Sequence, residues 1–97
     1  MGDEQVSTDI ASVPSAWFFR YRRTGEHDNG VNEYTAKAES MVKARALADA
    51  LARHDNCGEF ISHAPCPEGR CHVQGEQGVE MRASYSAARW KEIDEGR

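Results

Sequence analysis

Residues 34–56, YTAKAESMVKARALADALARHDN, decide the fold of this 97-residue chain. They read as the end of a strand, a cap and one long helix. Ser40 is placed as N-cap, and most residues from Met41 to Arg53 are good helix formers, with no Gly or Pro among them. Met41, Ala44, Leu47, Ala48 and Leu51 recur at three- and four-residue spacing and make one apolar stripe, while Lys43, Arg45, Asp49 and Arg53 fall off it. Such a stripe needs a sheet to cover it. The alanines keep the helix slim, so its backbone can lie close to that sheet. The helix stops at His54-Asp55-Asn56-Cys57-Gly58, with basic residues at the negative end of its dipole and Gly58 suited to a left-handed turn.

Before the helix, residues 16–23 alternate, with Trp17, Phe19 and Tyr21 facing the helix and Phe18, Arg20 and Arg22 facing away. A polar connection ending in Asn29-Gly30 leads into a second strand, residues 31–38, with Tyr34, Ala36 and Ala38 inward and Glu33, Thr35 and Lys37 outward. After the helix, residues 59–66 and 70–74 read as a hairpin around Pro67-Glu68-Gly69. If Cys66 lies opposite Cys71, then Phe60, Ala64, Cys66, Cys71 and Val73 share a face. Pro65 places its strand at an edge or a bulge. Residues 79–85 alternate again, with Val79, Met81, Ala83 and Tyr85 inward and Glu80, Arg82 and Ser84 outward. Residues 86–93 fit either a helix capped by Ser86, with Tyr85 packed on Trp90, or a final strand; the strand is the preferred reading. The expected fold is thus one α+β domain over residues 16–97. It has an antiparallel sheet of four to five strands in the order β-β-α-β-β-β, with one long helix packed on one face, and residues 1–15 form a flexible acidic arm.

Sixteen acidic against twelve basic residues give a formal charge of -4, which argues against a generic nucleic-acid binder with an overall basic surface. Acids gather at the ends and in a loop: Asp3, Glu4, Asp9, Glu26, Asp28, Glu92, Asp94 and Glu95. No apolar run reaches the length of a membrane span and no signal peptide is visible, so a cytoplasmic location without membrane contact is expected. Three cysteines, an odd number, do not make a disulfide framework, and free thiols are the expectation in a reducing compartment.

His54, Cys57, His63, Cys66, Cys71 and His72 are the residue types that bind zinc, but their spacing matches no closed site, and strand neighbours such as Cys71 and His72 point to opposite faces. No metal or cofactor is expected. Cys57 beyond a helix C-terminus lacks an activating dipole, and the carboxylates are scattered, so no catalytic residues are assigned and an enzyme is not expected. The better candidate is the sheet face away from the helix, which presents Phe18, Arg20, Arg22, Lys37 and Arg82 for partner binding. Arginines beside an aromatic suit a protein interface or phosphates and bases, while Glu33 and Glu80 stand ready to neutralise them across strands. Both Arg20 and Arg22 are expected to project away from the helix, so that reversing their charge leaves the fold intact.

Ala16-Trp17-Phe18-Phe19-Arg20 in the first strand, Ala38-Glu39-Ser40 entering the helix, Ala44-Arg45-Ala46-Leu47-Ala48 within it and Arg89-Trp90 near the end resemble, in order and setting, small phage-encoded anti-CRISPR proteins built from an antiparallel sheet and one helix. The likeness spans residues 16–90; the longer region 66–78 and the acidic arm depart from it. The resemblance implies a non-enzymatic inhibitor of a protein complex of the bacterial host, a CRISPR-Cas surveillance complex. The contact would run through the basic sheet face or through an acidic surface that occupies a DNA-binding channel. The alternative is a nucleic-acid-binding accessory domain using Arg20, Arg22, Lys37 and Arg82, and the exposed sheet edge leaves monomer and homodimer both open.

Overall fold

The alternating segments become strands β1 (Ser15–Arg23) and β2 (Gly30–Ala38), and the alanine-rich segment becomes helix α1 (Met41–His54); β3 (Cys57–Pro65), β4 (Gly78–Ser86) and helix α2 (Ala87–Glu95) follow. The structure, a computed structural model, describes residues 15–25, 29–66, 73 and 78–96. The proposed arm and all but Val73 of the strand proposed for residues 70–74, with Cys71 and His72, lie outside the described residues. All strand pairings are antiparallel and the sheet order is β3-β1-β2-β4, so the two central strands are those that precede α1.

Helix α1 packs on one sheet face, as its stripe requires. Phe19, Tyr21, Tyr34, Ala36 and Ala38 of the central strands are buried against Ala44, Ala48 and Ala52, with Trp17, Met41, Leu47, Leu51 and Phe60 at the margin. Small side chains on both sides let backbone approach backbone, and the two large buried rings, Phe19 and Tyr34, fill what remains. Ser40 caps the helix, its Oγ accepting from the Lys43 amide at 3.2 Å. At the other end the left-handed residue is Asn56, with φ 62°, rather than Gly58. Gly58 is needed for a different reason, since a Cβ there would lie 2.7 Å from Thr24 Cγ2.

The helix end is tied to the sheet by a buried polar cluster. The Tyr34 hydroxyl donates to Asp55 Oδ2 at 2.8 Å and accepts from Asn32 Nδ2 at 3.0 Å, and Asn32 Nδ2 also lies 3.4 Å from the buried Cys57 Sγ. Burial pushes the Tyr34 phenol well above its ordinary pKa, so it stays a donor. Cys57 is a free thiol, whereas Cys66 is disulfide-bonded, against the expectation of free thiols.

Two expectations about the faces fail at β-bulges. In β4 the register shifts between Glu33 and Tyr34, with Arg82 as the extra residue. Val79 and Met81 therefore pair with Ala36 and Tyr34 on the α1 face, but Ala83 and Tyr85 pair with Glu33 and Val31 on the opposite, outer face. In β3 a shift at Ile61 leaves Phe60 opposite Tyr21 on the α1 face and puts Ala64 opposite Phe18 on the outer one. The tail is corrected as well: residues 87–95 are helix, not strand, because Ser86 Oγ caps it by accepting from the Arg89 amide at 3.2 Å. Tyr85 meets Trp90 edge to face at 5.0 Å, which holds the turn. Among the described residues no helix is long and apolar enough to cross a membrane.

The close α1 contact generates a prediction. Ala48→Leu adds volume where Ala48 has no exposure, and should cost about 1–3 kcal/mol through overpacking, read as a lower urea midpoint with unchanged slope.

Candidate interaction surface on the outer sheet face

Helix α2 is a poor helix on its own. It has nine residues, Arg89 stands in its first turn, and Glu92, Asp94 and Glu95 lie toward its last, the reverse of what the helix dipole favours. Its position therefore depends on docking. Trp90, buried against the outer face, donates from Nε1 to the Val31 carbonyl oxygen at 2.8 Å.

Beneath α2 runs a chain of alternating charges. Glu33, 3% exposed, accepts from Arg20 Nε at 2.8 Å and from Arg82 Nη1 at 2.7 Å. Arg20, 16% exposed, reaches onward with its two Nη atoms to both carboxylate oxygens of Asp94 on α2, at 2.7 and 3.0 Å. This two-point contact with Asp94, with Glu33 adding to it against the cost of burial, raises the Arg20 pKa further above its ordinary value. Each guanidinium also lies over a ring, Arg20 over Trp90 at 4.0 Å and Arg82 over Phe18 at 4.8 Å.

Phe18, Arg20, Arg22, Lys37 and Arg82 all sit on the outer face, as their alternation implied, but that face is neither bare nor uniformly basic. Arg20 and Arg82 share Glu33, Arg20 holds Asp94, and the exposed Arg22 pairs with the exposed Glu59 at 3.0 Å. Lys37, half-buried, has no ion pair among the described residues. Arg20 is thus a tie between sheet and helix. Reversing its charge would set three carboxylates together, so the expectation that the fold survives it is withdrawn.

The structure adds Ile61 of β3, 40% exposed, to this face, and the shift in β4 brings Ala83 over to it. Tyr85, 43% exposed, arrives by the same shift. Together they make apolar flanks on both sides of α2. One flank is a cavity of about 390 Å³ floored by Val31, Ile61, Ala87 and Trp90; the other, of about 330 Å³, is lined by Arg82, Ala83, Tyr85, Trp90 and Ile93. The signals for α2, a Ser86 cap and a Tyr85–Trp90 staple, were present in the sequence; those for the bulges were not.

On the α1 side a smaller polar cavity, about 190 Å³, is lined by Tyr21, Arg45, Asp49 and Cys57 among others. Its polar groups are mutually engaged: the Tyr21 hydroxyl donates to Asp49, Arg45 Nε donates to the same carboxylate at 3.2 Å, and Arg45 lies 3.5 Å over the Phe60 ring. Burial first, then the bond to Asp49, pushes the Tyr21 phenol above its ordinary pKa. His63 stacks on Phe19 and Phe60, and no group of three metal-binding side chains occurs among the described residues.

The charge chain separates structural from surface cations by experiment. Glu33→Ala leaves two guanidiniums without their common carboxylate and should cost about 3–5 kcal/mol in chemical denaturation, whereas Arg22→Ala should cost no more than about 0.5 kcal/mol. Comparison of this chain with protein-family models, with curated proteins and with solved structures returned no match.

Proposed function

We propose that this is a small non-enzymatic protein that docks on a macromolecular assembly through the α2-bearing face of its sheet and so inhibits it. The assembly suggested by the resemblance in residues 16–90 is an RNA-guided surveillance complex in the cytoplasm of a bacterial host. One observation carries the docking part of this reading. The outer-face arginines are already paired within the chain, and what the face offers beside them is Tyr85, Ile61 and Ile93. Aromatic, aliphatic and arginine side chains around partly buried cavities are the composition of a protein interface. Phosphate recognition needs cations with charge to spare, and here Lys37 is the one site-residue cation without an ion pair among the described residues.

The test is binding of the purified protein to a purified, nuclease-treated surveillance complex, and separately to single-stranded oligonucleotides, across a salt series. Capture of the complex should fall only a few-fold between about 50 and 200 mM salt, whereas reliance on six to ten phosphate contacts would cost about 10³–10⁵ in affinity. Tyr85→Ala should weaken capture about tenfold or more with little change in stability. Binding to oligonucleotides alone, with a steep salt dependence, would favour the accessory nucleic-acid domain instead.

A further inference from the structure

Resting on the docking reading for the choice of face alone, we propose that α2 is a releasable latch, and that the groove beneath it takes a helix of the partner protein carrying an aromatic residue and, four positions on, a carboxylate. The chemistry of that ligand is set by what α2 itself places there. Trp90 and Asp94 stand about one turn apart on the same side of the helix. Arg20 engages both: its guanidinium lies 4.0 Å over the Trp90 ring, and its two Nη atoms hold the Asp94 carboxylate at 2.7 and 3.0 Å. The Trp90 indole adds a third point by donating to the Val31 carbonyl oxygen at 2.8 Å. One arginine and one carbonyl oxygen thus select a ring and a carboxylate at helical spacing.

Release of α2 leaves the rest of the fold whole. Helix α1 packs on all four strands and buries three alanines, whereas α2 packs chiefly on β2 and β4 and, of its nine residues, buries Trp90 alone. Opening returns Asp94, already 46% exposed, to water. Glu33 keeps both of its guanidiniums, so this buried carboxylate does not lose its pairing. Off the sheet, a nine-residue segment whose charges run against its dipole has little to hold it helical, so undocking and unwinding occur together. Such an opening is local, and the core that α1 covers takes no part in it. Tyr85 and Ile61 flank the groove from the strands and stay in place when α2 leaves.

The experiment begins with hydrogen exchange of the whole wild-type chain, followed by ¹H–¹⁵N NMR. Amides of residues 91–95 should show protection factors about tenfold or more below those of residues 47–52 in α1. Equal protection of the two helices overturns the proposal. In the full chain carrying Trp90→Ala and Asp94→Ala, the α1 resonances should persist. The acetylated, amidated peptide Ser-Ala-Ala-Arg-Trp-Lys-Glu-Ile-Asp-Glu-Gly, the sequence of residues 86–96, should then shift the Arg20 and Val31 amides with a Kd of about 1 mM or below. The same peptide with both substitutions should not. Loss of the α1 resonances in the variant, or no response to the unsubstituted peptide, overturns the latch. So do concentration-dependent shifts at Arg20 and Val31 in the wild-type chain alone, which would mark α2 of a second copy as the occupant. The two readings fail separately. The double variant should capture the surveillance complex about tenfold or more tightly, because no internal competitor holds the groove. Equal or weaker capture removes the latch and leaves the docking reading, and a peptide response with no capture removes the proposed target alone.

Discussion

A carboxylate taken almost wholly out of water has to be paired, and Glu33 meets that demand with two guanidiniums at once. Much of the outer face follows from it. Arg20 comes from the neighbouring strand directly opposite Glu33, whereas Arg82 reaches it from the bulge of β4. Arg20, satisfied on one side by Glu33, carries the positive charge onward to Asp94 and so draws in a helix whose own charges run against its dipole. Desolvation makes such a chain costly to assemble and more costly to break at one member. It therefore sets where α2 lies more than it adds to net stability.

The two faces of the sheet are stabilised by different physics. On the α1 side the contact is alanine on alanine, close and apolar, with a polar cluster of Tyr34, Asn32 and Asp55 confined to the helix end. On the outer side a Trp90 ring and a line of ion pairs hold a nine-residue helix. The first arrangement tolerates little change in volume, the second little change in charge.

What was legible in the sequence follows this division. The α1 stripe, its Ser40 cap and the inward faces of β1 and β2 could be read because each is local: helix period, strand period and a capping residue within a few positions. The five outer-face residues Phe18, Arg20, Arg22, Lys37 and Arg82 were placed on the correct side for the same reason. Their partners were another matter, since Asp94 lies 74 residues from Arg20 in the chain. Strand alternation also carries no mark of a bulge, which arises between two strands, so Ala64, Ala83 and Tyr85 were assigned to the wrong face. The tail fitted helix or strand on local signals alone, and what decides for the helix, the docking of Trp90 and Asp94 on the sheet, is not local.

The bulges have a consequence beyond the side chains they turn. β3 and β4 are the outermost of the described strands; β4 carries one extra residue near its middle, and β3 carries two, Ile61 near its middle and Gly58 near its start. A foreign strand aligned along either would keep step for only a few residues before donors and acceptors fell out of phase. Growth of the sheet by annealing of copies edge to edge is thereby discouraged. What such a sheet leaves open to approach is its broad faces and not its margins.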